Sequence, residues 1–112
     1  MTVTVKVLIP AKIAESTQTT QYTANGVTTI IDKFTATNYS AAAATISVNI
    51  VTNADTAGNQ NLIVKNKTLQ AGETYTFPEI VGAAIEPSGF ISTIAGTATS
   101  INIRASGREV TY

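Results

Sequence analysis

No cysteine, histidine or tryptophan occurs among the 112 residues, and only 12% of the chain is charged. Without thiols there is no disulfide framework, thiolate metal site or thiolate nucleophile, so stability must come from packing and hydrogen-bonded ladders. Without imidazole, the usual general base near neutral pH and the commonest metal ligand are missing too. Seven acidic and seven basic residues cancel to a formal net charge of zero. The basic residues are scattered, whereas nucleic-acid binding needs clustered Lys and Arg that release counterions from phosphates. We therefore expect no nucleic-acid partner. No stretch approaches the ~20 apolar residues of a membrane span, since Ala41–Ala44 is bounded by Asn38, Ser40, Thr45 and Ser47. The segment Met1–Pro10 lacks the basic start and apolar core of a secretory signal, and the expectation is a soluble, unexported chain with no membrane partner.

Carboxylates are what is left to carry chemistry. A paired-acid mechanism needs two carboxyl groups ~5–9.5 Å apart, and the candidates are Glu15, Asp32, Asp55, Glu73, Glu79, Glu86 and Glu109. Most stand beside predicted turns, where a carboxylate is ordinarily solvated or caps backbone. Glu79 and Glu86, flanking the Pro78–Pro87 segment, are the one pair to weigh. Asn53, Asp55, Asn59 and Asn61 collect oxygens in one loop, but with a single carboxylate and without the Gly and Glu positions of a calcium loop. The seven glycines are dispersed singly through predicted turns and form no phosphate-cradling loop. Asn38-Tyr39-Ser40 and Asn66-Lys67-Thr68 match glycosylation acceptors in spacing alone. The chain is expected not to be an enzyme, with no catalytic residue, metal or cofactor.

Present in quantity are β-branched residues. Hydrophobic residues make up 44%, mainly Ala, Ile and Val with three Phe and four Tyr, which implies one thin aliphatic core. A chain of this length forms one domain that buries ~65% of its unfolded surface. Period-two patterning recurs throughout. Val3, Val5, Val7 and Ile9 share one face and Thr4, Lys6 and Leu8 the other, with Pro10 closing the strand. Residues 11–21 are rich in Ser, Thr and Gln and read as an arm, a long edge strand or an extended loop. Asn25-Gly26 is a tight-turn signal that predicts a hairpin. Thr28–Asn38 offers Ile30, Phe34 and Ala36 to one side, with Asp32 interrupting that face. Ala44, Ile46, Val48 and Ile50 should face inward, the alternation overriding the helix propensity of Ala41–Ala44. Thr52–Asn61 is a loop, Leu62–Lys65 a strand, and Tyr75 and Phe77 share a face before Pro78. After the Pro87-Ser88-Gly89 turn come Phe90–Ile94, then Ile101 and Ile103 inward with Asn102 and Arg104 outward, and Glu109–Tyr112 as a last edge. Eight or nine short strands without a helical period predict an all-β fold, a single-domain antiparallel β-sandwich of jelly-roll type spanning 1–112.

Five residues are candidates for touching a partner. Tyr22, Tyr39 and Tyr112 offer rings that stack on sugars or protein surfaces; the competing role is a ring buried at a strand end with its hydroxyl reaching water. Arg104 and Arg108 are suited to clamping a partner's carboxylates bidentately, against the plainer role of a solvated strand face.

The succession Tyr22–Asn38, followed by Ala41–Val48, Leu69–Tyr75 and Ile101–Val110, resembles small virion proteins of tailed bacteriophages. Within that group, the length, the lack of cysteine and the jelly-roll pattern are similar to capsid decoration or cement proteins, such as the stapling protein of epsilon15-type phages. The resemblance covers residues 22–110 and rests on turn and strand patterns. It implies an accessory protein on the capsid exterior, made in the host cytoplasm, that clamps neighbouring major capsid proteins as a homodimer or other homo-oligomer. A low charge density suits a molecule whose final state is packed against neighbours. Two other roles are compatible with the residues: a tail, neck or fibre component, and a carbohydrate-binding module.

Overall fold

Stiff, β-branched side chains fit a pleated surface better than a helix, and the segments rich in them are the strands. The computed structural model describes residues 1–112 and contains nine strands, one turn of 3₁₀ helix and no α-helix, so no helix is long and apolar enough to cross a membrane. The strands are β1 (Thr2–Ile13), β2 (Thr19–Thr23), β3 (Thr28–Asn38), β4 (Ala44–Val51), β5 (Leu62–Leu69), β6 (Thr74–Tyr75), β7 (Ala84–Ile85), β8 (Phe90–Ala95) and β9 (Ile101–Thr111). They build two antiparallel sheets. The first runs β1-β9-β3, with the two-residue β6 and β7 sharing the lane beyond β3; the second runs β2-β8-β4-β5. Two four-lane sheets in this order are those of a jelly roll.

Only β4 and β5 are neighbours in both sequence and sheet. Apart from the link between β6 and β7 along one lane, every other connection crosses from one sheet to the other. Asn25-Gly26 is therefore a crossing turn and not the expected hairpin: β2 pairs with β8 and β3 with β9. Gly26 still supplies the positive φ, +72°, that the turn needs. Around it, the Ala24 backbone is tied to Gly89 and Ser88 at 2.8 and 2.7 Å.

Three register shifts interrupt the first sheet, two in β1, the second of them beside Pro10, and one in β3. In β1 the register with β9 shifts at Leu8, opposite Ser106 and Ala105, and in β3 it shifts at Asp32, opposite Gly107 and Ser106. A bulge inserts one residue and flips the faces that follow it. Val3, Val5 and Val7 consequently lie on the opposite face from Ile9, and Thr29 and Ile31, not Ile30, share the inner face with Phe34 and Ala36. Gly107, paired with Lys6 and Ile31 beside the two bulges, has no room for a side chain: a Cβ there would run into the Ile30 carbonyl oxygen and press Leu8 Cδ1 at 3.1 Å.

Two further expectations are corrected. Pro10 does not end β1, which continues to Ile13; it lies on a sheet edge beside a register shift, where its missing N–H costs no ladder bond. Glu109–Thr111 is not an edge but the end of β9, the strand between β1 and β3. Within 11–21, Ala11–Ile13 complete β1 and Thr19–Gln21 begin β2. The residues between are held by Ala14 N–H to Ile101 O at 2.8 Å, by Ala95 N–H to Glu15 O at 2.9 Å and by Gln18 to Ser92 at 2.7 Å.

The core is thin and aliphatic. Phe34 and Phe77 are the only fully buried aromatic rings, 4.8 Å apart edge to face, among Ile9, Ile31, Ile46, Leu69, Ile91, Ile101 and Ile103. Ala44, Ile46 and Val48 are buried as expected, and Ile50 packs half-buried against them. Asn38 is fully buried, its amide donating to the Ala42 and Leu69 carbonyls at 2.8 and 2.9 Å, so its side chain is committed to joining the sheets. No buried side-chain polar atom lacks a partner.

Candidate interaction surface

The outer face of the first sheet carries the feature that the core does not explain. From Thr2 to Val7 both faces of β1 are exposed, and pairing with β9 aligns Val3 with Val110, Val5 with Arg108 and Val7 with Ser106. Thr4 pairs with Glu109, which pairs with Thr29, a residue fully buried between the sheets. Opposed residues of an antiparallel pair share a face, so Thr4 and Lys6 point toward the sandwich interior and the three valines point away. The amphipathicity of this half-strand is inverted: Val3 is 48% exposed, Val5 82% and Val7 46%. Ile30 is a further apolar residue of this face, with Arg108 standing between it and Val5.

Arg108 crosses the middle of this surface. Its guanidinium grips Asp32, Nε donating to Oδ2 at 3.0 Å and Nη2 to Oδ1 at 2.9 Å. The fork expected to clamp a partner's carboxylate is thus filled by the chain's own bulge residue, and the guanidinium holds the Asp32 carboxyl below its ordinary range. Arg104 lies on the same face of β9 and makes no salt bridge, nor does Lys33, which pairs with Ser106 next to it. The outer face therefore combines an apolar row, a neutralised pair and two cations with no carboxylate partner.

The three tyrosines do not converge. Tyr22 is buried between the sheets, where its hydroxyl shares a hydrogen bond with Thr29 Oγ1 at 2.6 Å and donates to the Glu109 carboxylate. Burial and the carboxylate together raise its pKa to about 12, and its ring is out of a partner's reach. Lys6 Nζ completes the cluster 3.3 Å from Glu109 Oε2. Tyr39 and Tyr112 are 50% and 90% exposed, but they stand at opposite ends of β9, whose 11 residues span about 35 Å. A stacking platform shared by the two rings is ruled out by that separation.

Asp55 and Glu79 are held in local contacts. Asp55 accepts from Thr56 N–H at 2.8 Å and from the Gln60 and Asn61 amides, and these bonds keep its pKa low. Glu79 accepts the Tyr75 hydroxyl at 2.7 Å, and that bond raises the Tyr75 pKa to about 12. No three acidic side chains gather into a metal-sized cluster. Two shallow hollows open elsewhere. One, of about 350 Å³, lies between Ile13, Glu15, Thr17, Ala98 and Thr99; the other, of about 180 Å³, lies between Gln18, Ser47, Asn49, Lys65 and Asn66. Gln18, Ser47 and Asn49 in the second are already hydrogen-bonded to neighbours.

The valine row was visible in the sequence, but its direction was not. What hid it was the Leu8 bulge, which no local pattern marks. Comparison with protein-family models, with curated proteins and with solved structures finds no match.

Proposed function

We propose that the chain is a structural virion protein of a tailed phage that binds the outside of the capsid and staples neighbouring major capsid subunits. One observation supports the binding part of this reading: a long edge strand turns its valines outward and its polar residues inward, which makes sense only if another protein surface covers it. Isolated exposed apolar residues are ordinary, but a contiguous apolar row beside unpaired backbone edges marks an interaction surface. Completing the burial of three half- to mostly-exposed valines contributes roughly 1 kcal/mol apiece. Lys33 and Arg104 flank the row and favour a partner region bearing carboxylates. The virion part rests on the resemblance of residues 22–110 to capsid decoration proteins.

The mechanism is mass action. A protein that binds only the assembled lattice stabilises it by RT ln(1 + [L]/Kd), and many copies act together on one shell. Adding the purified chain to bare shells raises their melting temperature, and Val5→Lys, at an exposed position, removes most of the increase while the variant itself stays folded. Shells that melt unchanged at saturating protein overturn this reading. A tail, neck or fibre location gives a few copies per particle by gel densitometry in place of hundreds. A carbohydrate-binding module would have to use Tyr39 or Tyr112 singly, since the two exposed rings stand at opposite ends of β9.

A further inference from the structure

Asn25 is the only asparagine of the chain that precedes a glycine. The pair lies in the turn that carries the chain from β2 to β3, and both residues are exposed. No hydrogen bond closes this turn. The Ala24 carbonyl accepts from Ser88 at 2.7 Å and not from Val27, and neither the Gly26 N–H nor the Asn25 side-chain amide has a protein partner. Gly26 brings no Cβ beside its own nitrogen, and no other atom stands within 4 Å of where one would lie. We propose that Asn25 is a site of spontaneous deamidation. The backbone nitrogen of Gly26, losing its proton to solvent base, attacks Cγ of Asn25. The bond from Cγ to the amide nitrogen breaks and ammonia leaves. The five-membered imide then takes up water at either of its two carbonyls. One opening gives aspartate; the other gives isoaspartate, in which the main chain runs through the former side chain. Water is the one co-reactant, and nothing is oxidised or reduced.

The fold singles out this asparagine and protects others. Attack requires the backbone to rotate until the nitrogen reaches Cγ, and ladder hydrogen bonds resist that rotation where they hold a strand. Asn102 is held in this way within β9, paired with both neighbours. The Asn38 and Asn49 amides are buried and donate to carbonyl oxygens, and the Asn66 side chain is bonded to Ser47. The turn at Asn25 has none of these restraints, yet its flanks are fixed. Ala24 is fully buried and tied to Gly89 and Ser88 at 2.8 and 2.7 Å, while Val27 packs against the core and Thr28 opens the ladder opposite Val110. Only Asn25 and Gly26 bridge the two anchors, so the two products differ in consequence. Aspartate leaves the path of the main chain unchanged, whereas isoaspartate inserts an extra methylene between ends that cannot move apart. Either product takes the formal net charge from zero to −1, because seven acidic residues become eight against seven basic ones.

The charge balance makes the conversion easy to follow. Incubated at 37 °C and mildly alkaline pH, the natural chain accumulates an acidic form in isoelectric focusing. That form is heavier by the difference between an amide and a carboxyl group. Tryptic mapping places the change in the peptide Ile13–Lys33, whose one asparagine is Asn25. Asn25→Gln, which would need a six-membered ring, and Gly26→Ala, which sets a Cβ beside the attacking nitrogen, each slow the conversion at least tenfold while remaining folded. Asn25→Asp, with the charge of the product on an unaltered main chain, unfolds at the natural urea midpoint. The isoaspartyl form, isolated from aged protein by its chromatographic retention, unfolds at a lower one. A chain that keeps its charge through the incubation, a new charge that maps to another peptide, or a Gly26→Ala variant that converts as fast as the natural chain overturns the site. An isoaspartyl form with the natural midpoint overturns the anchoring of the turn. Conversion proceeds in the isolated chain and does not rest on the virion reading.

Discussion

Tyr22 and Arg108, both candidates for touching a partner, turn their polar atoms on the chain itself. For Arg108 the reason is Asp32, 76 residues away in sequence and brought beside it by the β3–β9 pairing. The sequence showed Asp32 only as a break in alternation. Nothing local indicates which side chain a bulge residue will meet. Tyr22 joins β2 of one sheet to Thr29 and Glu109 of the other, and Tyr22→Phe, which leaves the ring in place, costs about 1–2 kcal/mol in urea unfolding. The tyrosine also sets an alkaline limit. Its folded pKa is raised to about 12 from about 10, so the protonated form is favoured in the folded state. That contribution is complete below pH 10, where unfolded tyrosine is still protonated, and is lost as pH rises toward 12. Chemical denaturation at pH 8 and at pH 11 therefore shows a fall in stability that is smaller in Tyr22→Phe. The Asp32 carboxyl, held low by Arg108, works in the opposite window: its contribution is present above the ordinary carboxylate pKa and is lost as pH falls through it.

At the scale of elements, β4 keeps its register with β8 throughout, and its inward Ala44, Ile46 and Val48 were legible, although Ser47, Asn49 and Val51 on its other face are buried too. The inward Ile101 and Ile103 of β9 were legible as well. β1 and β3 were readable only as far as their bulges. Alternation specifies that residues share a face; it does not specify which face is the core, and one inserted residue reverses the answer. Ile30 and the three valines were displaced from expectation by that single mechanism. Gly107 lies next to both bulges, with the Ile30 carbonyl where a side chain would begin. Gly107→Ala forces the backbone of β3 away from β9 and lowers stability by roughly 3 kcal/mol or more, measured by urea midpoint. Gly26→Ala is milder, at about 1 kcal/mol, since no atom lies near its absent Cβ and only the positive φ is strained.

The whole molecule is a product of long-range pairing. Its first strand meets its last, Thr2 opposite Thr111, and a single hairpin, β4–β5, is the only local strand pair. Loop-closure entropy has to be met before most ladders form, so refolding from urea proceeds over milliseconds to seconds in stopped-flow fluorescence of the tyrosines. A microsecond phase carrying the full amplitude contradicts this topology. The surface proposed for docking belongs to the same scale, because it unites β1, β9 and β3 from the two ends and the middle of the chain. By itself the sequence determined the class of structure: β-branched alternation in a chain without thiol, imidazole or helical period yields layered sheets around an aliphatic core. It also determined where most strands lie, because period two and turn chemistry act over a few residues. Tertiary structure alone decided that Asn25-Gly26 crosses between sheets, that Arg108 meets Asp32, and that Val3, Val5 and Val7 face outward. Each of these depends on which distant strand lies alongside, and that choice is made by packing the whole core at once.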